Sequence, residues 1–209
     1  MTKQKLTQSY ISQRGYYSKW KNAQQFFENN FIDKSITYTY GSYKNQTHEM
    51  CICMHKYHFI HLLGLKYGVL GAKTFWRDLK NNKINWNELD FCYYEGKSNR
   101  QPETFENKMA IIDYLPEILT SNARVAPGGK YMNLSVDALL RLHKPCLALG
   151  VANPFSEGYF NTTLNIRSQV SNKGGNNKKI QEVYRIVSSQ NNNDTVIMDV
   201  FDKKCNRKE

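Results

Sequence analysis

Acidic residues are in short supply in this chain: 18 Asp and Glu stand against 29 Lys and Arg, a formal charge of +11 at neutral pH. A centre that cuts phosphodiesters with two metal ions needs converging carboxylates. Neither a DxD-type pattern nor an HExxH run is present to supply them. Cysteine is sparse as well. Cys51, Cys53, Cys92, Cys146 and Cys205 make an odd set with no CxxC pair, so no disulfide framework or zinc ribbon is written into the spacing. Phosphate loops and GxSxG elbows are missing. "APGGKY" holds Gly-Gly-Lys but lacks the P-loop spacing and the Ser or Thr that follows it. No run of 18 apolar residues crosses a bilayer, and "MTKQKLTQSYISQRGYYSKW" has no apolar signal-peptide segment. The expectation is a cytoplasmic protein with reduced thiols, whose Asn-x-Ser/Thr triplets at Asn45, Asn133 and Asn161 carry no glycan.

What is present is a core former with a positive field. Apolar residues make up 40% of the 209 residues and aromatic ones 13%, which is too much for a disordered chain. Tyr (14) outnumbers Phe (10), so many rings carry a hydroxyl able to sit at a surface. The positive charge favours a polyanionic partner, nucleic acid first. No cofactor is called for.

Periodicity places a helix over 17–31, with Trp20, Ala23, Phe27 and Phe31 at helical spacing. "SITYTYG" (35–41) and "THEMCICMH" (47–55) alternate and predict a hairpin across "SYKNQ". Gly64 breaks the apolar run "YHFIHLLGL". A short helix follows at 71–82, then a capped turn at 85–91, with Asn85 or Asn87 as cap. The longest helical pattern is 102–122, with a kink or a restart at Pro116. "APGGKY" (126–131) reads as a turn, and from "YMNLS" onward the pattern is β, with strands at 146–152, 159–167, 180–189 and 195–201. "SNKGGNNKK" (171–179) reads as a loop. The class is α+β: an N-terminal helix and β-hairpin, then central helices packed on an antiparallel sheet of about four or five strands. Residues 1–34 read as a helical extension, 35–202 as one domain and 203–209 as a basic tail.

Several constellations carry candidate chemistry. In "YFNTTLNIR", strand alternation puts Tyr159, Asn161, Thr163, Asn165 and Arg167 on one face. That face is either the solvated side of an antiparallel sheet or a phosphate-binding surface of hydroxyls, amides and one guanidinium. His55, His58 and His61 repeat every third residue. If the segment is extended, His55 and His61 share a face and His58 does not. Cys51 and Cys53 would then join His55 as the start of a zinc site, but no second ligand pair follows. The histidines are otherwise packing residues or acid–base groups suited to neutral pH. Lys108 flanks the stripe Phe105, Met109 and Ile112, either as helix surface or at the edge of a cleft. "LLRLHKP" (139–145) groups Arg141, His143 and Lys144, a basic connector or a contact to a nucleic-acid backbone. With few paired acids, phosphodiester cleavage would use the 2′-OH of RNA as nucleophile, helped by a base, an acid and a cationic or hydroxyl clamp.

The order of these features resembles the phage-type members of the barnase–EndoU–colicin–RelE-like nuclease group, found in phages and mobile elements of Gram-positive bacteria. The resemblance is carried by "FIHLLGL", "FWRDLKNNKINWNELDF", "NKMAIIDYLPEIL", "LALGV", "YFNTTLNI" and "IQEVYRIVS", and spans about residues 35–190. The group's Phe-x-His-Leu-Thr-Gly-like turn falls on Phe59 to Gly64, its His on His61, its helical Lys on Lys108 and its strand hydroxyl on Thr163. Leu63 stands where a Thr is usual, and Asn161 where a Pro is usual.

The resemblance implies metal-independent RNA cleavage in a bacterial host cell. His61 would be base or acid. Lys108 and Arg167 would meet phosphate charge, and Thr163 would donate to a non-bridging oxygen. Tyr159 or Tyr184 would stack a base, with Asn161, Asn165, Arg141 and Lys144 as further nucleic-acid contacts. The implied partners are RNA or a host ribonucleoprotein effector, with an immunity protein if the chain is a toxin. A different class stays open: a non-catalytic anti-defence inhibitor, for example an anti-CRISPR, that blocks such an effector or its guide RNA with the same basic face.

Overall fold

The structure, a computed structural model, describes residues 6–42, 46–91, 101–131, 134–143, 147–154, 156–165 and 180–200. Helix α1 (Gln8–Gln13) starts at Thr7, whose hydroxyl accepts from the Tyr10 N–H. Helix α2 (Tyr16–Asn30) matches the predicted amphipathic helix, with Trp20, Ala23, Gln24 and Phe27 on its buried face. Strands β1 (Ser35–Ser42) and β2 (Gln46–Cys53) form the expected antiparallel pair, with Ser35 opposite Cys53 and Ser42 opposite Gln46.

A 3-10 turn (Lys56–His58) leads into α3 (Phe59–Leu63). Strand β3 (Leu65–Tyr67) follows, then α4 (Gly71–Lys80). The capped turn ends in β4 (Leu89–Phe91), which pairs β3; Asn85 Oδ1 accepts the Asn87 N–H, as its side-chain type predicts. The long helical pattern divides into α5 (Gln101–Met109) and a 3-10 segment (Ile112–Leu119) that contains Pro116.

"APGGKY" is not a turn. It lies inside β5 (Ala123–Tyr131), which pairs β6 (Leu134–Leu142) along almost its whole length. Pro127 fits there because β5 meets β9 only at Arg124 and Val125, so one side of the strand carries no ladder at Pro127 among the described residues. The connector reading of 139–145 is corrected in part for the same reason, since 139–142 are the end of β6. Strands β7 (Leu147–Ala152), β8 (Tyr159–Asn165), β9 (Gln181–Gln190) and β10 (Asn193–Asp199) complete the set.

The class is α+β, but the main sheet has eight strands rather than four or five. Its order is β2-β1-β9-β5-β6-β7-β8, with β10 beside the free flank of β9. The sheet curls until its two ends touch. Cys53 N–H donates to the Gly158 carbonyl at 2.7 Å, and Gly158 N–H donates to the Cys51 carbonyl at 3.1 Å. A Cβ on Gly158 would lie 2.6 Å from the Cys51 carbonyl oxygen, so glycine lets the two backbones meet.

The helices and the sheet share one core. Trp20, Phe27, Phe31, Phe59, Phe75, Phe105 and Phe160 are fully buried in one cluster with Ile36, Tyr38, Met50 and Leu149. The N-terminal helix is therefore built into the core: Trp20 meets Phe75 and Phe105 edge-on, and Phe31 meets Phe160 of β8 edge-on.

Candidate active site

The place where the sheet ends meet is also where polar groups gather. After β2, the His55 N–H donates to His58 Nδ1 at 3.1 Å, and the His58 N–H donates to the His55 carbonyl at 2.9 Å. These two bonds close a tight turn, and α3 follows it directly. Four residues of α3 are buried (Phe59, Ile60, Leu62 and Leu63), and His61 is the one that faces out. The apolar pattern of "FIHLL" therefore aims His61 at solvent. Gly64 ends the helix with φ +72°, and its N–H returns to the His61 carbonyl at 3.0 Å.

Lys108, in the last turn of α5, comes up beneath this turn. It is 4% exposed, and its Nζ donates to the His61 carbonyl at 3.1 Å and to Thr162 Oγ1 at 3.4 Å. A Cβ on Gly64 would sit 2.9 Å from Lys108 Cδ. Glycine thus does two things at 64: it adopts the left-handed conformation, and it leaves the channel in which the lysine stem lies. Asn165 Nδ2 donates to the Asn107 carbonyl at 3.2 Å, so α5 is fastened to β8 at a second point.

Strand β8 does not keep the expected alternation. Its register on β7 shifts between Gly150 and Val151, which pair Thr162 and Phe160, so Asn161 is the extra residue of a bulge. Gly150 makes the bulge fit, since a Cβ there would meet Asn161 Oδ1 at 2.7 Å and Thr162 Cγ2 at 2.8 Å. Beyond the bulge both Thr162 and Thr163 are buried, at 3% and 1% exposure. The buried atoms Asn161 Oδ1 and Thr163 Oγ1 have no hydrogen-bond partner among the described residues.

A cleft of about 950 Å³ opens at this seam. The 3-10 turn and α3 contribute His55, Tyr57, His58 and His61; the β7–β8 connection and β8 contribute Asn153, Ser156, Glu157, Tyr159 and Asn161; β2 contributes Cys53. Four rings run along it. His55 stacks on Tyr57 with centroids 5.1 Å apart, Tyr57 meets His58 edge-on at 4.3 Å, and His58 stacks on Tyr159 at 4.8 Å and 6°.

The electrostatics favour neutral imidazoles. His61 is held below the usual histidine pKa, first by partial desolvation and then by the Lys108 ammonium. Burial takes His58 further down, to about 4, with His55 and His61 adding to the effect. Burial pushes the Cys53 thiol up, so it is no ready nucleophile. Among the described residues no three His, Cys, Asp or Glu side chains are grouped as metal ligands, and Cys51–Cys53–His55 form no such set.

The structure brings His61, Tyr159 and Asn161 into one cleft and puts Lys108 directly behind His61. Thr162 rather than Thr163 meets the lysine; Thr163 is sealed in the sheet one residue further on. Arg141 lies on β6 opposite Ala148, in the row that ends at Leu164, about 16 Å along the strands from Tyr159. Tyr184 is buried on β9 and lines no part of the cleft. Arg167 and Lys144 lie outside the described residues.

Of the cleft groups, His58 was weighed with His55 and His61 but not chosen as a site residue, and Glu157, Tyr57, Asn153 and Ser156 were not singled out. The every-third-residue spacing was a usable signal for His58. It points one way along a 3-10 turn and helix, whereas an extended segment sends His58 to the other side. Glu157 gave no local signal, because only the meeting of the sheet ends brings it into one cleft with the histidines.

The chain belongs to a nuclease family: the model described as phage-Barnase-EndoU-ColicinE5/D-RelE like nuclease 4 matches residues 19–204. The match begins inside α2, in keeping with that helix being part of the core. No curated protein and no solved structure gives a match.

Proposed function

We propose that the seam cleft cuts RNA by attack of the 2′-OH on the adjacent phosphorus, with His61 as general base and without a metal ion. The observation that carries this reading is His61 itself: the single outward residue of α3, set in a cleft and backed by a buried ammonium. Its lowered pKa keeps it unprotonated near neutral pH, which is the state a base needs.

The 2′-oxygen gives its proton to the His61 ring as its bond to phosphorus forms. The bond from phosphorus to the 5′-oxygen breaks, and that oxygen takes a proton from water in the open cleft. The products are a 2′,3′-cyclic phosphate and a free 5′-hydroxyl. Lys108 contributes positive potential to the developing phosphorane from behind the His61 carbonyl and holds the α3 turn in place. Tyr159 and Asn161 contact the strand, and the +11 net charge draws RNA in. Metal independence is supported by a cleft lining with one carboxylate, Glu157, among the described residues. Thr163, Asn165, Arg141 and Tyr184 lie away from the cleft and are not given a direct role.

The test is to incubate structured RNA with the full chain in excess EDTA, beside His61→Ala. Wild type should cut, and the variant should lose about 10²–10⁴-fold. Below the ordinary histidine pKa of about 6.5 the rate should fall with pH, because protonated His61 cannot accept the proton. Tight binding without cutting would leave the non-catalytic inhibitor. No retention of RNA even at low salt would remove nucleic acid altogether, since phosphate contacts are strongest there.

A further inference from the structure

Two histidines of the cleft, His58 and His61, are wired differently. His61 makes no side-chain hydrogen bond among the described residues. His58 has one ring nitrogen committed: Nδ1 accepts the backbone N–H of His55 at 3.1 Å. A nitrogen that accepts an N–H carries no proton of its own, so in the neutral ring the hydrogen sits on Nε2. Nε2 has no partner among the described residues, and the ring lines the cleft. The ring cannot turn freely. It is stacked on Tyr159 at 6°, bordered by the Tyr57 edge, and only 9% exposed.

We infer that His58 is a fixed, uncharged hydrogen-bond donor of the cleft, presenting Nε2–H to a phosphate oxygen of the bound strand. This rests on the nuclease reading and divides its labour: His61 moves the proton, and His58 holds the oxygen on which charge builds. A donor already oriented needs no rearrangement as that charge develops, which is the condition for stabilising it. The titratable groups that share the cleft with His58 are His55, Tyr57, His61, Glu157, Tyr159 and Cys53. Burial and the two neighbouring imidazoles oppose its protonation, so it stays a neutral donor where an ordinary histidine would titrate.

Nitrogen-detected NMR of the histidine side chains in the full chain tests this directly. At pH 7, His58 should show the Nε2–H tautomer. Adding an oligonucleotide with 2′-deoxy at the cleavage position, which cannot be cut, should shift the Nε2 resonance. In the RNA assay, His58→Ala should lose about 10²–10³-fold, the usual loss for removal of one such donor. His58→Gln, whose amide N–H stands near the Nε2 position, should lose less and keep the acid limb of the pH–rate profile. An Nδ1–H tautomer, an unmoved Nε2, or loss of the acid limb in His58→Gln would each overturn the inference. If wild type cuts no RNA, the nuclease reading falls by itself. The tautomer and the Nε2 shift on oligonucleotide binding still decide whether His58 is a phosphate donor.

Discussion

Under α2 one polar side chain is buried, Gln24, and its amide donates to the Trp76 carbonyl at 2.8 Å. Around the seam four described polar residues are buried: His58, Lys108, Thr162 and Thr163. The helical layer is otherwise rings on rings, with Trp20 close to Phe75, Trp86 and Phe105. It uses apolar burial, and it satisfies its one polar group. The seam keeps an ammonium and an imidazole out of water and leaves Thr163 Oγ1 and Asn161 Oδ1 unpaired among the described residues. Burying polar groups without full hydrogen bonding costs stability. A fold carries that cost where the groups have work to do, and His58 and Asn161 line one cleft with Lys108 directly behind it.

If the division is real, the two regions should fail in different ways. The largest effect on stability is expected from Trp20→Ala. It removes a fully buried indole and should cost about 3–5 kcal/mol in urea denaturation, while molecules that remain folded still cut RNA. A folded Trp20→Ala protein with no cleavage would show that the core and the seam are not separable.

Acidification should weaken the seam. His58 has a folded pKa of about 4 against about 6.5 when unfolded, so the unfolded chain binds the proton more readily. The stabilising contribution is complete above about pH 6.5 and is lost as pH falls towards 4. Its upper bound is about 3 kcal/mol, from 1.36 kcal/mol per pKa unit, and screening by the solvent in the cleft reduces it. His61 shifts in the same direction and steepens the loss. Denaturation midpoints from pH 7 to pH 4 should therefore fall more steeply in wild type than in His58→Gln; equal slopes would break the argument.

The smallest of the three stability effects is expected at Gly64→Ala. The left-handed backbone at φ +72° disfavours a Cβ by about 1–2 kcal/mol. The new Cβ would also meet the Lys108 stem, so RNA cutting should fall further than the stability loss explains. Unchanged cleavage in that variant would separate Lys108 from the chemistry.

Elements set by neighbouring residues were legible. Trp20, Ala23 and Phe27 announce α2 by spacing, "SITYTYG" announces β1 by alternation, and Gly64 marks the stop after "FIHLL"; the outward aim of His61 came only with the short helix α3. "APGGKY" misled because its turn-forming composition was overridden by pairing with β6. The face of β8 misled because one bulge, made possible by Gly150 on another strand, re-aims every residue after it.

The sequence by itself determined the α+β class, the positive field, the helical spacing of α2 and the break at Gly64. Each follows from periodicity or composition within a few residues. The curl that brings Gly158 to Cys51 and Cys53, the choice of Thr162 over Thr163 as partner of Lys108, and the placing of Glu157 in one cleft with the histidines were decided by tertiary structure alone. They depend on strand register and sheet closure between segments up to about a hundred residues apart, and no local pattern encodes those.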